Sequence, residues 1–204
     1  MTGVFVTGTG TGVGKTLVAA WLVRSWAADY WKPVQSGTTE GWDAEEIRRA
    51  APAATVHPSR HALAAALSPD QAAERQGLRI ELGDFQPPPT SRPLVVEGAG
   101  GVLVPLNDRH LMVDLMRRLA LPVVLVASGT LGTINHSLLS LEALRRRRLA
   151  VAGVIVSGAA EDANCRAIER CGGVPVVARL PLLGTPVDWA GVPPLAWTPW
   201  GAQP

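Results

Sequence analysis

The chain opens on an apolar run, Val4-Phe5-Val6, passes through a glycine-rich stretch, Gly8 to Lys15, and enters a helix-like segment over residues 17–26. This alternation recurs along the chain. Continuous apolar runs at residues 94–96, 121–126, 151–156 and 174–178 have the length and character of strands buried on both faces. Between the later runs, Ile134, Leu138, Leu141 and Leu144 recur at helical spacing, and residues 163–171 read as a further helix. Strands alternating with helices predict an α/β fold with a mostly parallel sheet and helices on both faces, in one domain spanning residues 1–204. Residues 184–204 carry Pro and Trp but no further strand–helix unit, so this tail is expected to pack irregularly onto the body. No internal repeat is evident.

The middle of the chain is less regular. Tyr30-Trp31-Lys32-Pro33-Val34-Gln35-Ser36 predicts one short strand that breaks at Gly37, with Lys32 held extended by the proline after it. Residues 41–50 predict a helix with Asp43 at the N-cap and Glu46 three positions on, the pattern of a capping box. Alternatively, the Asp43 carboxylate serves a site. Ser68-Pro69 opens another helix that Gly77 ends, and residues 83–93, with Pro87-Pro88-Pro89, form a surface connection.

Composition narrows the function classes. At 204 residues and 47% hydrophobic content the chain can bury a substantial core. A formal net charge of +2 offers no field for nucleic acid, and the Arg145-Arg146-Arg147-Arg148 run suits the solvated C-terminal end of a helix. No secretory, lipidation or membrane-spanning pattern is present, so a cytoplasmic protein with no membrane partner is expected. Cys165 and Cys171 lack the neighbours a metal site needs and are expected to be reduced.

The chemistry is concentrated in the glycine-rich stretch. A strand that enters a glycine loop ending in Gly14-Lys15-Thr16 and then a helix is a phosphate-binding loop, and the fold it predicts is that of a P-loop NTPase. Backbone N–H groups converge on an anion where no Cβ intervenes. Lys15 reaches the β- and γ-phosphates, and the Thr16 hydroxyl is placed to ligate Mg²⁺. The loop is one residue longer than the usual spacing, because position 9 is Thr and the preceding glycine is Gly8. A second block, Glu97-Gly98-Ala99-Gly100-Gly101, puts a carboxylate at the end of a buried strand, where an acid orients Mg²⁺ or its water shell. Lys32 and Asp43 are candidates for the same site because ligands gather at the carboxyl ends of parallel strands.

With these blocks assembled, the sequence resembles the dethiobiotin synthetase family. The resemblance rests on Val6 through Thr16 with its longer loop, Lys32-Pro33-Val34-Gln35-Ser36-Gly37, Val96 through Gly101, Val104-Pro105-Leu106 and Leu131-Gly132-Thr133-Ile134-Asn135-His136. It implies a ligase of biotin synthesis, with ATP as co-substrate. CO₂ adds to 7,8-diaminononanoate as a carbamate, ATP phosphorylates the carbamate, and the second amine closes the ring. It also implies catalytic roles for Lys15 and Lys32, carbamate and diamine contacts from Thr11 and Ser36, and Mg²⁺ ligation by Thr16, Asp43 and Glu97. Nucleotide contacts would extend over Gly12, Val13, Gly14, Gly98, Ala99, Gly100, Ser157, Gly158, Pro181, Leu182 and Leu183. Family members are homodimers, which implies that Gly132 and Asn135 complete the partner's substrate site.

This chain departs from the family pattern in places. Gly12 stands where many members carry an acid, the segments around residues 22–32 and 77–94 are short, and Ser157-Gly158 replaces the usual adenine-reading pair. The alternatives are a related P-loop amide-forming enzyme, a nucleotide-switch ATPase and an inactive descendant. The first draws ammonia from an attached glutaminase for which 204 residues leave no room, and the second typically carries an additional lysine within the loop.

Overall fold

The computed structural model describes residues 2–159 and 161–200. Among these described residues, nine strands and six α-helices follow in the order β1 (Gly3–Gly8), α1 (Lys15–Trp26), β2 (Asp29–Trp31), β3 (Val34–Ser36), α2 (Asp43–Ala50), β4 (Val56–His57), β5 (His61–Leu63), α3 (Pro69–Arg75), β6 (Leu94–Gly101), α4 (Met112–Leu119), β7 (Val123–Ser128), α5 (Thr133–Arg146), β8 (Val151–Ser157), α6 (Asp162–Gly172) and β9 (Val176–Leu180). Seven strands form one sheet in the order β4-β2-β6-β1-β7-β8-β9, every neighbouring pair parallel. β3 and β5 pair separately.

The expected α/β architecture is present, and strand composition explains it. Along β1, Phe5 points into one core while Val4 and Val6 point into the other. Along β7, Val123, Leu125 and Ala127 join the first core and Val124 and Val126 the second. Strands apolar at every position must be covered on both faces. Helices α3 to α6 bury Ala72, Met116, Leu141 and Ile168 on one side, and α1 and α2 bury Leu22 and Ile47 on the other.

Residues 184–200 hold no strand or α-helix; they supply Trp189, Trp197 and Trp200 and meet Trp21 and Trp26. Trp189 and Val192 enter the core beneath α1, where a short 3₁₀ turn spans Trp189–Gly191. Trp21 Nε1 donates to the Pro193 carbonyl at 2.8 Å and Trp26 Nε1 to that of Trp197 at 2.9 Å. Trp26 also meets the rings of Trp197 and Trp200 edge-on or tilted. Residues 201–204 of the predicted tail, like Met1 of the predicted domain, lie outside the described residues.

Three local expectations are corrected. The strand predicted from Tyr30 to Ser36 is two strands in different sheets, because Pro33 supplies no N–H to continue a ladder while its carbonyl accepts from Arg60 and His61. Asp43 is the first residue of α2 rather than its cap; Trp42 holds the N-cap and no side chain caps the helix. Glu97 lies inside β6, which continues to Gly101. In the sheet, β6 stands between β1 and β2. The two-residue β4 and the three-residue β5 carry too little apolar pattern to be anticipated.

Candidate active site

The chain leaves β1 toward β2 on one side and reaches β7 on the other, so β1 marks the switch point of the sheet. Ligands collect outside the carboxyl ends of the strands at such a point. The glycine loop lies there. Gly12 and Gly14 adopt positive φ of 74° and 93°, and Gly14 is the N-cap of α1. A Cβ on Gly14 would fall 2.3 Å from Ser157 Oγ, which shows how tightly the loop sits against the end of β8.

A cleft of about 920 Å³ opens above this edge. Thr11, Gly12, Gly14, Lys15 and Thr16 line it from the loop, and Lys32, Ser36, Asp43, Glu97, Ala99 and Gly100 line it from the neighbouring strands and α2. Sequence positions far apart thus converge on one site. Val13 packs toward the second core and Gly98 presses against the Phe5 ring, so neither offers a side-chain position to the cleft. Gly132 and Asn135 are not among the lining residues; Gly132 caps α5 and Asn135 is exposed on its first turn. Ser157 borders the loop at Gly14, Gly158 donates its N–H to the Leu180 carbonyl at 2.9 Å, and Leu182 beyond β9 is 82% exposed.

At the floor, charged groups lock together. Thr16 Oγ1 lies 2.9 Å from Asp43 Oδ1 and 2.9 Å from Glu97 Oε1. Lys32 Nζ pairs with Asp43 and donates to Glu97 Oε1 at 3.0 Å. Burial works against the Lys32 charge, but Glu97 and then Asp43 outweigh it and hold the ammonium above the ordinary lysine range. Burial likewise opposes ionisation of Asp43, and Lys32 overcomes it, leaving that carboxyl below its ordinary value. Lys15 is different. Burial lowers its pKa, Glu97 and Asp43 only partly offset this, and its Nζ donates to the loop's own Gly10 carbonyl at 2.8 Å.

Several groups here escaped the sequence reading. The Tyr30 hydroxyl donates to Glu97 Oε2 at 2.8 Å; burial first, then the Glu97 and Asp43 charges, push its pKa well up, so the phenol stays protonated. Gln35 and Trp42 also line the cleft. Gln35 sits inside the Lys32 to Gly37 block, and that was the available signal.

Fold and site together define a P-loop nucleotide-binding protein. A family model described as an AAA domain matches residues 2–187. Over 200 residues the chain is 56% identical to an ATP-dependent dethiobiotin synthetase of Paramagnetospirillum magneticum, covering 97% of this chain and 98% of that protein. It is 53% identical over 184 residues to a biotin biosynthesis bifunctional protein of Bordetella avium, covering 89% of this chain and 40% of that longer protein. The chain belongs to the ATP-dependent dethiobiotin synthetase family. A ParA family ATPase from Chlorobium tepidum shares the fold at a TM-score of 0.51 and 14% identity, over 89% of this chain and 85% of that one.

Proposed function

We propose that this chain forms dethiobiotin from 7,8-diaminononanoate, CO₂ and ATP, with the chemistry centred on Lys15 and Lys32. The observation that carries this reading is the convergence of Lys15, Thr16, Lys32, Asp43 and Glu97 in the cleft above the glycine loop. One substrate amine takes up CO₂ as a carbamate, held by Thr11, Ser36 and Lys32. A carbamate oxygen attacks the γ-phosphorus and ADP leaves; the second amine then attacks the carbamoyl carbon, phosphate departs and an amine proton is lost. A carbamate is a weak nucleophile facing a polyanion, so catalysis must come from positioning and charge neutralisation. Lys15 and Lys32 supply the positive charge to the transferring phosphoryl group and its acceptor.

The Thr16 hydroxyl lies within hydrogen-bond distance of both the Asp43 and the Glu97 carboxylates, an all-oxygen set that suits Mg²⁺ sharing its shell with substrate phosphates. When bound there, Mg²⁺ would neutralise phosphate charge. The donor set of a larger metal centre is not present: among the described residues no three His, Cys, Asp or Glu side chains form a metal-holding group.

The decisive experiment measures phosphate release with diamine and bicarbonate added separately and together, alongside direct detection of dethiobiotin. A synthetase needs both. Equal turnover with neither would make the chain a switch-type ATPase.

A homodimer in the cytoplasm fits this reading. Among the described residues no helix is long and apolar enough to cross a membrane. Leu131, fully exposed beside Gly132, and Asn135 away from its own cleft suit a role in the partner's diamine site. Mixing Lys32→Gln and Asn135→Ala subunits that exchange should then restore about a quarter of wild-type activity, because each heterodimer regains one intact site. No recovery despite exchange would place both residues in the same site of one subunit.

The base is expected to be read weakly. Ser157 offers one short hydroxyl and Gly158 carries no side chain, while Pro181, Leu182 and Leu183 give only shape and apolar contact. Strong rejection requires buried polar groups left unpaired by the wrong base. ATP and at least one of GTP, CTP and UTP should therefore agree in kcat/KM within about tenfold, or 1.4 kcal/mol. A preference for ATP above about a hundredfold in those steady-state rates would overturn this.

A further inference from the structure

Glu97 is wholly buried, and both its oxygens are held. Oε1 accepts from Thr16 and Lys32, which line the cleft, at 2.9 and 3.0 Å. Oε2 instead accepts from Tyr30 at 2.8 Å, and Tyr30 is a core residue, 1% exposed and outside the cleft lining. The register explains the reach. Tyr30 on β2 stands opposite Val95 on β6, two residues before Glu97 and on the same face of the sheet. Two residues of strand span about 6.6 Å, which is roughly the length of a tyrosine side chain. A phenylalanine would fill the same volume among Val4, Val6 and Val95; packing alone does not require the hydroxyl.

We propose that Tyr30 is a positioning residue for the reaction, its hydroxyl fixing the rotation of the Glu97 carboxylate so that Oε1 is presented to Thr16, Lys32 and the nucleotide site. The proposal rests on the reading of Glu97 as a carboxylate of the Mg²⁺–nucleotide site. Donors on both oxygens set the plane of a carboxylate. Without the phenol, Oε2 is an unpaired acceptor in a buried place, and the group turns to compete for the same Lys32 and Thr16 donors.

The test is Tyr30→Phe, which keeps the ring, with Trp31→Phe as control. Trp31 is 3% exposed on the same strand and donates to the Pro58 carbonyl at 3.2 Å, so its replacement also removes a buried donor but leaves Glu97 alone. Binding of a non-hydrolysable ATP analogue is measured by calorimetry across a Mg²⁺ series, with thermal melting in parallel. For Tyr30→Phe the Mg²⁺ needed for half-maximal tightening should rise about tenfold while Mg²⁺-free affinity is unchanged; for Trp31→Phe it should stay within about twofold. On a Glu97→Gln background, adding Tyr30→Phe should change nothing further. A wild-type-like Mg²⁺ profile for Tyr30→Phe, an equal shift from Trp31→Phe, or an undiminished shift on the Glu97→Gln background overturns the proposal. A wild-type protein whose binding ignores Mg²⁺ overturns the underlying reading of the site, which separates the two failures.

Discussion

Replacing Lys32 by Gln is expected to lower kcat by about 10²- to 10³-fold while leaving the affinity for ATP within a few-fold, because a contact made mainly in the transition state is lost. The geometry supports this split. Lys15 belongs to the loop proposed to grip the triphosphate, whereas Lys32 approaches from β2's end between Asp43 and Glu97. Held above the ordinary lysine range, the Lys32 ammonium is already protonated for the role proposed for it, meeting the carbamate oxygen and the transferring phosphoryl group. Breaking a buried ion pair also destabilises a fold by about 3–5 kcal/mol. Gln keeps an N–H donor toward the carboxylates, and a melting curve separates the two effects. Turnover near wild type, measured as phosphate release at saturating ATP, diamine and bicarbonate, would remove Lys32 from the mechanism.

How far Lys32 could be placed from sequence shows where such reading reaches. The phosphate loop was legible because its glycines, lysine and threonine act through the backbone next to them in the chain. The strands of the main sheet were legible where every position was apolar, as in Val123 to Ala127, since burial on both faces leaves no other composition. Strand order was not. The insertion of β6 between β1 and β2 is a tertiary choice, and it brings Glu97 within reach of both Thr16 and Lys32. Asp43 satisfied a capping pattern on paper, yet its carboxylate is committed to Lys32 and Thr16. Nothing in the short strand predicted from Tyr30 to Ser36 marks Tyr30, because only the register across two strands reveals its partner. Trp21 and Trp26 find their partners only in the tail, more than 160 residues away in the chain.

Gly14→Ala is expected to weaken ATP binding at least about 30-fold, through two separable causes. The first is backbone: φ of 93° lies in the left-handed region, and holding a residue with a Cβ there costs about 1–3 kcal/mol. The second is contact. The new methyl would sit 2.3 Å from Ser157 Oγ and 2.9 Å from Ser157 Cβ. Rotation can move the hydroxyl but not the Cβ, so the loop must lift from β8, at a further cost of about 1–3 kcal/mol typical of overpacking. Lifting the loop disperses the N–H groups that must converge on the phosphates. The causes part in a double variant. Ser157→Gly alone should leave binding within about threefold, and combined with Gly14→Ala it should recover the contact share but keep a residual deficit of about tenfold from the backbone. Calorimetric titration of ATP into the four proteins reads both shares directly. If Gly14→Ala binds ATP within about threefold of wild type, the loop does not depend on this glycine. If the double variant is as weak as the single one, the close approach to Ser157 plays no part in setting the loop.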